Sequence, residues 1–221
     1  MSNTDATHDR ELNLPSVLGR RAPKRLVGTE PVLAAGAPTG WTVSQFWAWT
    51  MSGLLTNTLR GALAEFLVGI AIGAEVDGVR SDWTSYDLTS HDGVKVEVKS
   101  TAYLQAWGQR SLSLITFATP KTRGWDPDTG EVEVAQRRHA DVYVFALLAH
   151  QDKDTANPLD VDQWKFYVLP TRDLDSRKRS QHSITLNSLA AMTEPVAWQE
   201  LDAAIRAAYL EHTRVLPEAG Q

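Results

Sequence analysis

The chain has 221 residues, 43% of them hydrophobic, enough for one sizeable α/β domain or at most two small ones. It has no cysteine, which excludes disulfides and thiolate-bound zinc and fits an intracellular, cytoplasmic setting. The net charge of −5 counts mildly against a protein that coats nucleic acid. The cations are bunched, however: Arg20, Arg21, Lys24 and Arg25; Lys121, Arg123, Arg137 and Arg138; Arg177, Lys178 and Arg179. Each bunch is either solvated surface or a place to meet phosphates.

Taken in chain order, Met1 to Glu11 is polar and acidic and lacks the apolar core of a signal peptide. Residues 1–40, rich in Pro, Gly, Ala and charge, are expected to form a mobile or draped arm, with 41–221 as a single domain. Thr42-Val-Ser-Gln45 has the form of a capping box, so a helix is expected to about Met51. A second helix is expected after an Asn57 N-cap, running to about Ile72 and ended by Gly73. Its apolar stretch from Ala62 to Ala74 is too short to span a bilayer. Strands are expected at Tyr86–Thr89, Val94–Ser100, Leu112–Thr119, Asp141–Ala149 and Trp164–Leu169, the last closed by Pro170. A final amphipathic helix is expected over Ala197–Thr213. The order predicts an α/β fold with a central mixed sheet flanked by helices.

Chemistry concentrates in Val94-Lys95-Val96-Glu97-Val98-Lys99-Ser100. A period of two sets the valines on one face and Lys95, Glu97 and Lys99 on the other. Glu97-Val98-Lys99 is the only acid-x-Lys triplet in the chain, and composition alone predicts about one. Its setting adds meaning. With a three-residue His91-Asp92-Gly93 loop, Gly93 takes the left-handed position and Asp87 falls opposite Glu97. Two carboxylates then share a face, a repulsion that a divalent cation offsets. A two-residue Asp92-Gly93 loop would instead place Leu88 opposite Glu97.

Glu65 is the one charged residue on an otherwise apolar helical stretch, which predicts a buried helix and a near-buried carboxylate. Gly61, Ala62, Val68 and Gly69 beside it are expected to open a channel. Its partner is either a metal or an arginine from elsewhere in the chain.

Over 57–149 the sequence resembles the PD-(D/E)xK nucleases, the restriction-endonuclease-like fold. The likeness rests on Glu65 on a helix, Asp87 on a strand and Glu97-Val98-Lys99-Ser100, with Tyr103 and Gln105 following. Tyr86 stands where the namesake motif has proline. The resemblance implies a nuclease, most naturally a DNA endonuclease of bacterial restriction, defence or repair. In it, Asp87, Glu97 and the Val98 carbonyl would hold Mg²⁺ (or Mn²⁺), Glu65 would bind the metal through water or help hold a second, and Lys99 would position or deprotonate the attacking water. A catalytically silent nucleic-acid-binding or assembly protein of the same fold is the alternative.

Gln105, Trp107, Lys121, Arg123 and Arg138 are the expected nucleic-acid contacts. Trp107 and Trp125 could stack on bases or anchor loops, and His139 could reach a phosphate. Trp47 and Trp198 are expected in the core. The segment from Pro120 to Arg137 reads as an insertion between strands, turning at Trp125-Asp-Pro-Asp-Thr-Gly130. The six histidines show no zinc-hydrolase spacing, and no nucleotide-phosphate loop is present. Cutting both strands of a duplex would favour a homodimer.

Overall fold

The computed structural model describes residues 21–81, 84–126 and 128–214. Arg20, the acidic N-terminus and Pro127 lie outside the described residues. In chain order the elements are β1 (Pro31–Ala34), β2 (Ala37–Thr42), α1 (Val43–Met51), α2 (Asn57–Ala71), β3 (Leu88–Thr89), β4 (Lys95–Ala102), β5 (Thr116–Ala118), β6 (Val142–Leu148), β7 (Trp164–Pro170), α3 (Thr171–Ser176), β8 (Ser183–Thr185), α4 (Leu186–Ala190) and α5 (Leu201–Thr213).

The central sheet is mixed, as its sequence order implies: β3-β4-β6-β7, with β4 and β6 parallel and the outer pairs antiparallel. β6 is a continuous apolar run, Val142-Tyr-Val-Phe-Ala-Leu-Leu148, and is buried at every position, as an inner strand covered on both faces must be. On one face Val94, Val96 and Val98 join Val142, Val144 and Ala146 under α2 and α5, meeting Ala64, Val68, Leu201 and Ile205. On the other face Tyr143, Phe145 and Leu147 pack with Phe117, Leu174, Ile184 and Leu189. Glu97 and Lys99 lie in register with Tyr143 and Phe145. The chemical face of β4 therefore belongs to this second side, covered by the β5–β8 ribbon, α3 and α4.

Helix ends follow local chemistry. The Thr42 N–H donates to Gln45 Oε1 at 2.8 Å, one half of the expected capping box. α2 is capped by Thr56 instead of Asn57, whose side-chain oxygen instead accepts from Arg60 Nη2 at 2.8 Å. At its other end Gly73 has φ +61°, and the Ala74 N–H closes back on the Gly69 carbonyl at 2.9 Å, a Schellman-type stop. α5 begins at Leu201, not Ala197. A 3₁₀ turn, Trp198–Glu200, precedes it, pinned where Trp198 Nε1 donates to the Leu67 carbonyl at 2.7 Å.

Several expectations need correction. Across the end of the expected 1–40 arm, residues 31–42 form the β1–β2 hairpin, turning on Ala35 and Gly36 at φ +48° and +80°. α1 buries none of its residues, so Trp47 is half-buried outside the core, against the edge of Gly28. The strand expected over Leu112–Thr119 shrinks to three residues, with Leu114 almost fully exposed. α2 is not buried all round either: Phe66 and Ile70 face outward. Gly69 opens no channel, because Val76 and Leu88 fill the space a side chain would take there.

Candidate active site

The β3–β4 hairpin has the register of the three-residue loop: Leu88 pairs with Val96 and Thr89 with Lys95. Gly93 has φ +90°, and its N–H donates to the Ser90 carbonyl at 3.0 Å. Ser90 Oγ meets Asp92 Oδ1 at 2.6 Å and accepts from the Val94 N–H at 3.0 Å, locking the turn. β3 stops after two residues, and Asp87 does something the ladder alone does not predict. Its N–H donates to the Val96 carbonyl at 3.1 Å, while its carboxylate Oδ2 accepts from the Val98 N–H at 2.7 Å. The side chain thus takes the place of the next strand partner on the edge of β4. A strand residue's N–H and C=O leave along the same edge, so the Val98 carbonyl faces the Asp87 side as well.

Glu97 lies next to Asp87, and Lys99 forms an ion pair with it along the same face of β4. Both side chains are mostly buried, at 16% and 29% exposed. Burial pushes the Asp87 carboxyl from its ordinary 3.8 up to about 7. The negative charge of Glu97 adds to that rise and Glu65 contributes a little more, against a downward pull from the Val98 N–H and Lys99. The site therefore holds a carboxyl that readily keeps its proton unless a cation arrives.

Glu65 reaches the same neighbourhood from α2, and its partner is an arginine. Arg80 Nε and Nη2 grip its two oxygens at 2.5 and 3.0 Å. That bidentate pair satisfies the half-buried carboxylate, so no metal is needed to explain it. Arg60, on the same helix, turns the other way. It is buried and donates to Ser100 Oγ, the Leu55 carbonyl and Asn57 Oδ1, tying α2 to β4. Among the described residues, no three His, Asp or Glu side chains stand close enough together to hold a metal ion. The oxygen donors gathered at Asp87 are two carboxylates and one carbonyl.

Asp87 and Glu97 floor a cavity of about 310 Å³ whose walls include Tyr86, Thr122, Arg123 and Trp125. Thr84 and Tyr86 are shared with a neighbouring cleft toward Glu65 and Arg80 and another toward Trp125 and Glu131, which joins the three into one groove. The Pro120–Arg137 insertion supplies the far wall. Antiparallel bridges at Thr122–Arg137 and Trp125–Val132 fold it back on itself, and Asp126 Oδ1 caps its turn by accepting from the Asp128 N–H at 2.8 Å.

The expected nucleic-acid contacts separate sharply. Arg123 is exposed at the groove and makes no ion pair among the described residues. Lys121 pairs with Asp175 at 3.2 Å. Arg138 is a correction: its side chain is wholly buried, bonded to Asp175, Gln181 and the Thr119 carbonyl, and so out of reach of a phosphate. Gln105 is another, since it is buried and its amide nitrogen donates to the Ala102 carbonyl and Ser113 Oγ, bracing the loop after β4. His139 is buried with Nε2 against the Thr122 carbonyl. Trp107 is exposed, and its carbonyl accepts from Lys153 Nζ at 2.6 Å, away from the groove's lining. Arg80 and Tyr143 join the site without having been expected there. Tyr143 sits in register with Glu97, and burial and that carboxylate raise its hydroxyl pKa. Neither carries a local signal: Arg80 lies in a loop, and Tyr143 reads as core.

A search of curated proteins finds no match to this chain. Residues 48–188 match the family model of bacteriophage T4 endonuclease IV, a span that runs from α1 through α4 and takes in Glu65, Asp87, Glu97, Lys99 and the whole insertion. That is well over half of the sequence, and the chain belongs to the bacteriophage T4 endonuclease IV family, a family of nucleases.

Proposed function

We propose that this protein is a Mg²⁺-dependent DNA endonuclease of the PD-(D/E)xK type, acting in the cytoplasm in bacterial restriction, defence or repair. The observation that carries the reading is the pair Asp87 and Glu97, buried side by side at the floor of a groove rimmed by Arg123. Two carboxylates and the Val98 carbonyl are hard oxygen donors, which suit Mg²⁺ because that ion keeps several of its own waters. When bound, Mg²⁺ would polarise the scissile phosphate and acidify water.

The chain's own residues do the rest. Asp87 and Glu97 would hold the ion, and a shared cation would offset both the burial and the repulsion from Glu97 that raise the Asp87 pKa. Lys99, held by Glu97, places a positive charge where the attacking water loses its proton and where the pentacovalent phosphorus gains negative charge. Arg123 meets a phosphate at the groove's rim, and the Trp125 ring forms a wall against the strand. Glu65, engaged by Arg80, shapes the field at Asp87 from outside the ligand set. Among the described residues, no helix is long and apolar enough to cross a membrane. A homodimer is the assembly that would cut both strands of a duplex.

The test is cleavage of plasmid and single-stranded DNA with and without Mg²⁺, for the parent chain, Asp87→Asn and Lys99→Ala. Both substitutions are expected to cut the rate by about a hundredfold or more. Parent-like cleavage by both would remove the proposed site. DNA binding with no cleavage under any metal would favour the silent binding protein instead.

A further inference from the structure

The Arg177-Lys178-Arg179 turn between α3 and β8 is not used by the groove. Together with Asn187, Ser188 and Ala191 it lines a separate open cavity of about 420 Å³, and no acidic side chain lines it. Lys178 and Arg179 are exposed and make no ion pair among the described residues. Arg177 is half-buried, with Nη1 donating to the Ser183 carbonyl at 3.3 Å. Burial lowers its pKa, and the nearby charges of Arg138 and Arg179 lower it further. The nearest acid along the chain, Asp175, is already engaged by Arg138 and Lys121. In a chain of net charge −5, such a local cationic excess stands out.

Its place relative to the groove is fixed by hydrogen bonds. The Thr119 N–H donates to the His182 carbonyl at 2.7 Å, and buried Arg138 bridges the Thr119 and Gln181 carbonyls at 2.7 Å each. The basic turn is thereby clamped to the start of the insertion, whose Arg123 lines the acid pair's cavity. From Arg179 to His182 and from Thr119 to Arg123 the two chain segments together reach at most roughly 23 Å, at about 3.3 Å per residue. A duplex strand carries one phosphate per ~3.4 Å of axis, so no more than about seven phosphates span that reach.

We propose that the Arg177–Arg179 cavity is a second phosphate-docking site for the DNA strand, holding it within several phosphates of the cut. The proposal rests on the DNA-endonuclease reading. Lys178 and Arg179 supply point charges there, and Ser188 and Asn187 supply neutral hydrogen-bond donors. Because buried Arg138 couples the turn to the insertion, the docked strand would be held in register with Arg123.

The experiment measures binding of a fluorescein-labelled DNA duplex, long enough to reach both sites, to the full chain made non-cleaving by Asp87→Asn. It is repeated with Lys178→Glu and Arg179→Glu added, across a series of NaCl concentrations. Loss of two phosphate contacts is expected to weaken binding about tenfold or more and to lower the slope of log K against log salt by roughly 1.8. Lys178→Gln with Arg179→Gln should give a smaller loss with the same reduction in slope, and all variants should unfold at the parent temperature because both side chains are exposed. Unchanged affinity and slope, with Arg123→Gln still weakening binding, would overturn the second site and leave the nuclease reading standing. If the chain neither binds nor cuts DNA, the nuclease reading falls and the second site with it.

Discussion

At the scale of single residues, the site is a problem of crowded negative charge. Asp87 is raised to about 7, mainly by burial and then by Glu97. An acid whose folded pKa lies above its unfolded value keeps its proton in the folded state after the unfolded chain has lost it. Between about pH 4 and 7 the folded protein therefore binds the extra proton, and its stability falls as pH rises, by up to about 1.4 kcal/mol per unit. Above pH 7 this contribution is flat. Urea midpoints in the presence of a chelator should show the decline for the parent and a shallower one for Asp87→Asn. Parallel pH profiles for the two would mean that Asp87 does not titrate as its surroundings dictate. If Asp87 holds Mg²⁺ as proposed, the ion should stabilise the fold most above pH 7, where no proton competes for the carboxylate.

At the scale of elements, the site depends on how closely α2 approaches the hairpin. Gly69 is buried, and a Cβ there would stand 2.7 Å from Val76 Cγ1 and 3.5 Å from Leu88 Cδ2. The clash falls on Val76 in the loop after α2, while Leu88, the neighbour of Asp87, stays at ordinary contact distance. About 1–3 kcal/mol of destabilisation is expected from such overpacking of Gly69→Ala. Gly61→Ala, where nothing stands within 4 Å, is the matched control and should gain slightly from helix propensity. Equal effects of the two on the unfolding midpoint would contradict this packing.

The elements also show what a sequence can disclose. The β4 alternation, the Gly93 turn and the Asp87-to-Glu97 proximity were legible because each is set by residues within about one hairpin of each other. The long-range partners were not. Arg138 lies 37 and 43 positions from Asp175 and Gln181, and nothing local to it marks it as a core cation. Arg80 clasps Glu65 across 15 positions, so the lone acid on α2 pointed to an unnamed partner without saying which. β8, α3 and α4 are too short for periodicity to register, and β1–β2 turns on Ala35-Gly36, a weaker signal than Asn-Gly.

At the scale of the whole molecule, the β1–β2 hairpin and α1 leave an apolar surface uncovered. Trp41, Phe46, Trp49 and Met51 on β2 and α1 are all at least half exposed, and Trp49 is 84% exposed. Phe46 and Trp49 are three apart and share a helix face. Exposed aromatic clusters of this kind are more typical of interfaces than of free surface. If the homodimer forms through this unit, sedimentation velocity should show a concentration-dependent dimer that Trp49→Ser weakens. A single monomeric species at every concentration would exclude it.

The two-residue length of β3 has a consequence outside the chemistry. Beyond Leu88 no strand among the described residues lies beside this edge of β4, and the Asp87 carboxylate is what occupies the Val98 N–H. A buried backbone donor left without a partner costs about 1–3 kcal/mol. The acid proposed to hold the metal is thus also a backbone partner, and deleting its side chain does two things at once. Alanine at this position would remove the charge and strand the buried Val98 N–H, so lost stability would pass for lost activity. Asparagine keeps an oxygen for Val98 and removes only the charge, which makes it the variant that isolates the chemistry.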